Sequence, residues 1–235
     1  NISKEEKAYY LKKSADEGNV EAMYNYARMN DKGDEIPTNK REALKYYKMA
    51  ADKGSEDSLY NYGILLTKNK SNQAEIEEGI KCIKIAAEKG SAEAMYNLAM
   101  MYFEGIDVPK NYEETIKYYK MAIEKGHVLS AYNYAVMLTQ GIGVSKDYKE
   151  ACRLFKIAAD KGYTNSMFNY ALFVKKGAGS PLNKKEAAKY FKMAADNGHV
   201  EAMVEYGVML EFGDGILINK KEAAKYYKMA ANWSL

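Results

Sequence analysis

The sequence predicts an all-α protein, an α/α solenoid of thirteen helices built from one 36-residue helix–loop–helix repeat. Three observations predict it. Gly18, Gly54, Gly90, Gly126, Gly162 and Gly198 follow one another at a constant interval of 36 residues in a chain of 235. Within each interval, apolar residues recur three and four apart, the spacing of a helix face and not of a strand. Asn39, Asn111, Asp147, Asn183 and Asn219 share one position, three residues ahead of Glu42, Glu114, Glu150, Glu186 and Glu222. A fixed period of 20 to 50 residues is the signature of a solenoid. Glycine is only 17 of the 235 residues, so six in phase is not an accident of composition.

The repeats run 18–53, 54–89, 90–125, 126–161, 162–197 and 198–233 without insertion or deletion, after a half repeat at 1–17. A solenoid is one elongated domain joined by neighbour contacts, so 1–235 is expected to be a single domain. The chain opens on Asn1 and not on Met, which reads as a fragment of a longer protein.

The third repeat shows the elements in order. Its first helix is announced by Ala94, Met95, Leu98, Ala99, Met101 and Tyr102, and its second by Ile116, Tyr119, Met121, Ala122 and Ile123. The loop from Gly105 to Asn111 divides them. With each opening glycine counted as position 1, Gly33, Gly105, Gly141, Gly177 and Gly213 all stand at position 16. A first helix that ends in a left-handed residue needs glycine there. Pro37 and Pro109 keep the loop from continuing as helix. Asn or Asp three residues before Glu resembles a capping box, which satisfies backbone N–H groups at a helix start. The second repeat departs from this pattern. Its stretch from Thr67 to Gly79 lacks the loop glycines and the Asn cap, so an irregular loop or an early second helix is expected.

Thirty-six residues cannot bury a stable core alone. Small residues let helices approach at Ala27, Gly63, Ala99, Ala135, Ala171 and Gly207, and again at Ala50, Ala86, Ala122, Ala158, Ala194 and Ala230. Tyr47, Tyr119, Phe155, Phe191 and Tyr227 are expected to fill the space beside them.

Composition excludes several classes of function. The net charge of +3 is too weak to mark a polyanion binder. No apolar run is long enough to span a bilayer. Cys82 and Cys152 lie in repeats two steps apart, beyond disulfide reach, which favours a reducing compartment such as the cytoplasm. His127 and His199 follow repeat glycines, where capping explains them, and they cannot share a metal. With no phosphate loop and no nucleophile beside a base, neither catalysis nor a cofactor is expected.

The run A-x-Y-N-L-A-x-x-Y-x-x-G-x-x-V-P-K-x-Y-E-E-x-x-x-Y-Y-K-x-A-x-E-K-G, from Ala94 to Gly126, resembles the Sel1-like repeat, a relative of the tetratricopeptide repeat. All six repeats fit it. The resemblance implies a right-handed superhelix of antiparallel helix pairs, with each first helix lining a concave face. It also implies a protein–protein interaction scaffold and not a catalyst. Cysteine-rich bacterial members staple each repeat with a disulfide, and this chain lacks that cysteine pattern.

A partner protein or peptide is therefore expected on the first helices. Position 11 carries Ile64, Met100, Val136, Leu172 and Val208, with Arg28 the exception. Position 7 carries Tyr24, Tyr60, Tyr96, Tyr132, Phe168 and Val204. Between them runs a ladder of Asn25, Asn61, Asn97, Asn133 and Asn169, replaced by Glu205 in the last repeat. These positions share one stripe. One reading has the ladder clamp a peptide backbone, centred near Asn97 and Asn133, while the Tyr rings supply contact area. The other has both residue types pack against the neighbouring repeat.

RNA binding is the alternative. Lys48, Lys84, Lys120, Lys156, Lys192 and Lys228 form a basic row on the second helices, with Lys or Arg three residues earlier. Glu and Asp interleave with them, as on a solvated face of weak ion pairs. Glu21, Asp57, Glu93 and Glu201 near the groove also oppose RNA. At the far end, the helix expected at Lys220 to Asn232 shows Tyr and Ala that another repeat would cover. Further chain, a fold-back of Trp233 and Leu235, or a second protomer could cover it.

Overall fold

The computed structural model describes residues 2–33, 35–69 and 72–233. Among them all regular structure is helical, in thirteen α-helices. Two compact units divide the chain, Asn1–Lys125 and Gly126–Leu235. The first holds α1 (Lys4–Asp16) and three helix pairs: α2 (Val20–Lys32) with α3 (Lys40–Asp52), α4 (Glu56–Asn69) with α5 (Gln73–Glu88), and α6 (Ala92–Glu104) with α7 (Tyr112–Glu124). The second holds α8 (Val128–Gln140) with α9 (Tyr148–Asp160), α10 (Thr164–Lys176) with α11 (Lys184–Asp196), and α12 (Val200–Phe212) with α13 (Lys220–Trp233). Each pair is one 36-residue repeat.

The turn between paired helices follows from backbone chemistry. Gly33, Gly105, Gly141, Gly177 and Gly213 have φ between 68° and 77°, the left-handed conformation that a Cβ disfavours. The side chains of Asn39, Asn111, Asp147, Asn183 and Asn219 each accept the N–H three residues on. Only half of the expected capping box forms. The cap's own N–H reaches back to the first helix, as in Asn39 to the Asn30 carbonyl at 2.8 Å and Asn219 to that of Leu210 at 2.8 Å. A loop that returns the chain to its own hairpin supplies that acceptor, which leaves the Glu carboxylate for other partners. The complete box occurs instead at the start of α1, between Ser3 and Glu6.

The second repeat takes the early-helix route. α4 runs to Asn69, and α5 starts at Gln73, three positions ahead of the other second helices. The expectation that this repeat lacks an Asn cap is corrected: Asn72 accepts the Glu75 N–H at 2.9 Å. The cap moved with the helix start. Lys70 and Ser71 lie outside the described residues.

Small residues bring the helices together as expected. Ala27, Ala99, Ala135 and Ala171 are fully buried, as are Ala50, Ala86, Ala122, Ala158 and Ala194. Tyr47, Tyr119, Phe155 and Phe191 fill the space between them, each at 2 % exposure or less. Complete burial of such a ring stabilises by about 1.5–3 kcal/mol. Tyr227 differs, since it remains half-buried and donates its hydroxyl to Glu211 at 2.8 Å.

Adjacent repeats are joined by polar contacts as well as apolar ones. Tyr46 on α3 donates its hydroxyl to Asp16 at the end of α1, in the preceding repeat, at 2.5 Å, and Lys12 pairs with the same carboxylate at 3.0 Å. The arrangement recurs at Tyr190, Asp160 and Lys156, and at Tyr226, Asp196 and Lys192. The lysine row of the second helices is thus a solvated face of ion pairs in part. Its acids also hold the next repeat, which the row alone did not disclose.

Candidate functional site

All twelve residues expected to meet a partner are half-buried: Asn25, Asn61, Asn97, Asn133, Asn169, Tyr60, Tyr96, Tyr132, Ile64, Met100, Val136 and Leu172. Core neighbours hold the position-7 rings. Tyr24 packs on Tyr47 at 6.1 Å, Tyr132 on Phe155 at 5.9 Å and Phe168 on Phe191 at 5.8 Å, so each ring leans on the second helix of its own repeat.

The Asn ladder ties repeats together. Asn97 Nδ2 donates to the Tyr60 hydroxyl at 2.6 Å and to the Glu93 carbonyl at 2.9 Å. Both amide hydrogens are therefore engaged, and only Oδ1 is left to accept from a ligand. One repeat apart in the second compact unit, Asn169 lies near the Tyr132 hydroxyl and partly opposes the upward pKa shift that burial causes there. Where Glu205 replaces Asn, it pairs with Lys175 of the preceding repeat at 2.8 Å. The replacement keeps an inter-repeat bond at this position. Burial, with Glu93 nearby, pushes the Tyr60 hydroxyl up to about 12, and the bond from Asn97 partly opposes this.

The face is not fully packed. In the first compact unit a cavity of about 560 Å³ opens beside Tyr60, Asn61 and Ile64, three of the expected residues. Leu65 and Glu93 also line it, and its rim carries Asp31, Lys32, Lys40, Lys68 and Asn69. Lys40 is held by Asp31 at 2.7 Å. Lys32 and Lys68 are exposed and have no ion-pair partner among the described residues. The site therefore offers apolar wall, amide and phenol, and two unneutralised ammonium groups. Sequence reasoning missed these lysines. Their signal was lysine at position 15 in successive repeats, Lys32 and Lys68.

The two histidines have structural partners. Nδ1 of His127 accepts the Ser130 N–H at 3.2 Å, and Nδ1 of His199 accepts that of Ala202 at 3.3 Å, so both cap helices as expected. A cavity of about 360 Å³ in the second compact unit touches Cys152, Arg153 and Tyr170. Burial pushes the Cys152 thiol above its ordinary pKa, which disfavours the nucleophilic thiolate. Cys82 is likewise buried and free. Among the described residues no group of three His, Cys, Asp or Glu side chains is placed to hold a metal ion, and no helix is long and apolar enough to cross a membrane.

Comparison with known proteins agrees with this architecture. The family model described as Sel1 repeat matches residues 8–19, 20–55, 57–91, 92–127, 128–163, 164–199 and 200–232. A protective antigen of uropathogenic Escherichia coli displaying an SLR fold is similar at 24% identity and TM-score 0.86, over 95% of this chain and 48% of that one. This chain thus spans about half the length of that antigen. A Sel1 repeat protein from Oxalobacter formigenes is similar at 29% identity and TM-score 0.74, over 91% of this chain and 88% of that one. Among curated proteins none matches.

Proposed function

The chain belongs to the Sel1 repeat family, and from that premise we propose that it is an interaction scaffold that holds a segment of a partner protein on its first-helix face. The family's fold generally serves protein–protein interaction and is typically non-enzymatic. The observation that carries the reading is the cavity beside Tyr60, Asn61 and Ile64, an opening on the first-helix face of the first compact unit. Ile64 supplies apolar contact, Tyr60 a rigid ring, and Lys32 and Lys68 attract an acidic side chain. Asn97 continues the stripe within the first compact unit through its half-exposed amide. Asn97 serves first as a tie between repeats, so its part in binding is as an acceptor.

A peptide-display selection on the purified chain tests this. Ile64→Glu and Lys68→Glu should each weaken the selected peptides at least tenfold while circular dichroism stays unchanged. Peptides that bind equally well to both variants would contradict the assignment. RNA is disfavoured here because Glu21, Asp57, Glu93 and Glu201 are exposed on first helices, while Lys12, Lys156 and Lys192 are paired with Asp.

A further inference from the structure

The loops between paired helices carry a second feature, which the first-helix face does not explain. Positions 15, 20 and 21 of the repeat are exposed in all six repeats. In the first five, position 15 is Lys, Glu or Gln, and position 20 is Pro, Gln or Ser. In the sixth, the same three positions hold Phe212, Leu217 and Ile218, exposed by 70%, 90% and 62%. Leu182, at position 21 of the fifth repeat, is 60% exposed. Exposure at these positions is a property of the repeat, so it does not come from the sixth repeat's place at the edge. The departure lies in residue type: bulky apolar groups stand where other repeats are polar or small.

The two loops adjoin. A Cβ on Gly215 would lie 2.5 Å from that of Lys184, and Lys184 pairs with Asp214 at 2.6 Å. Charge around them is segregated. The acids are engaged within the protein: Glu186 accepts from Tyr170 at 2.8 Å, Glu211 from Tyr227 at 2.8 Å, and Glu222 from Asn219 at 3.0 Å. Lys176, Lys185, Lys220 and Lys221 are exposed and have no ion-pair partner among the described residues. The four ammonium groups are exposed while the three carboxylates are half-buried, so the outward face of this edge is rich in lysine.

We propose that this loop edge of the second compact unit docks peripherally on an anionic lipid surface. Leu217, with nine tenths of its surface free, projects from the loop, and Phe212 protrudes beside it at the end of α12 with 70% of its surface free. Protruding apolar tips suit insertion among headgroups and acyl chains, whereas a protein hot spot is typically a well-packed pocket. All four free cations are lysine, which acts as a point charge, and none is arginine, which reads carboxylates bidentately. Their flexible stems let the ammonium groups remain at the headgroups as the apolar tips enter.

Co-sedimentation of the full chain with vesicles tests the proposal, comparing phosphatidylcholine alone with a mixture containing roughly a third phosphatidylserine, a composition chosen to supply the negative surface potential that attracts basic segments. Binding to the anionic vesicles only, weakened by salt, is the expected result. Each lysine near such a surface contributes about fivefold, so K220A/K221A should bind about thirtyfold more weakly. F212S/L217S should also reduce binding, with its thermal melt unchanged because both side chains are already in water. Failure to bind anionic vesicles overturns the proposal, as does binding that neither variant alters. A chain that ignores vesicles but binds poly-glutamate through these lysines overturns it in favour of a protein partner. The variants lie outside the first-helix cavity, so peptide binding there succeeds or fails independently.

Discussion

Gly63 on α4 and Gly79 on α5 face each other so closely that a Cβ on either would lie 2.7 Å from the other's carbonyl oxygen. Backbone meets backbone here, and no flexible side chain can yield. The second repeat is also the one with the longest second helix and no loop glycine. Its hairpin closes through a glycine pair in mid-helix.

Gly63→Ala should therefore force the two helices apart. Overpacking of this kind costs about 1–3 kcal/mol, against which the helix propensity of alanine returns about 1 kcal/mol. Gly79→Ala should behave alike, and because the two clashes share one contact the double variant should cost less than their sum. Urea unfolding of the three variants measures this. Equal stability of Gly63→Ala and the parent would show that α4 and α5 separate freely.

Tyr226 and Asp196 join the last two repeats at 2.8 Å. Tyr226→Phe keeps the ring, including its edge-to-face contact with Tyr206 at 4.9 Å, and removes only the bond. A loss of about 1 kcal/mol is expected for a partly exposed hydrogen bond. Asp196→Asn combined with Tyr226→Phe should add little beyond either change alone. A double-mutant cycle by chemical denaturation reads the coupling directly, and strict additivity would dissolve the tie.

These ties make stability depend on pH at both extremes. Burial, with bonds to Asp16 and Asp196, pushes Tyr46 and Tyr226 up to about 12. A raised pKa means that the folded chain holds its proton longer. The contribution is complete below the ordinary tyrosine value near 10 and is lost as pH rises toward 12. On the acid side, the Tyr46 hydroxyl and Lys12 hold Asp16 below its ordinary value. For Asp160 and Asp196 the same bonds outweigh a burial effect of opposite sign. That contribution is present above about pH 4 and disappears as pH falls through the lowered values. Melting temperatures across pH 2 to 12 should fall at both ends, and Y46F/Y226F should flatten the alkaline limb.

His199 offers a milder test. Its ring stacks on Phe168 at 4.4 Å, and burial lowers its pKa while Glu201 partly opposes the shift. Nδ1 accepts the Ala202 N–H, so the 3.3 Å approach of Glu201 is no ion pair while the ring is neutral. As pH drops below about 6.5, the unfolded chain takes the proton first and stability declines. Asn caps equally well without titrating. His199→Asn should remove the decline between pH 7 and 5, whereas His199→Ala should cost about 1 kcal/mol at neutral pH. Stability measured by denaturant at both pH values separates the two.

The candidate site was legible only in part. Tyr60, Asn61 and Ile64 follow from a stripe with helical spacing, and the cavity lies against them. Lys32 and Lys68 escaped because a lysine at a helix end looks the same in sequence whether it faces solvent or a cavity. The second role of Asp16, Asp160 and Asp196 escaped for a different reason. Each is four residues after a lysine, which accounts for it locally, while its tyrosine partner is 30 residues away.

The sequence by itself determined the repeat, the thirteen helices, the left-handed glycines and the helix caps outside the second repeat. Those features depend on residues within one or two turns of each other, where steric and hydrogen-bonding preferences act without tertiary help. Only the tertiary structure decided which Asn hydrogens were engaged between repeats and where the first-helix face stayed open. It also decided that the lysines near the Leu217 loop stay exposed without an ion-pair partner among the described residues. Those outcomes depend on distances between residues of different repeats, which close packing sets and a repeating pattern does not encode.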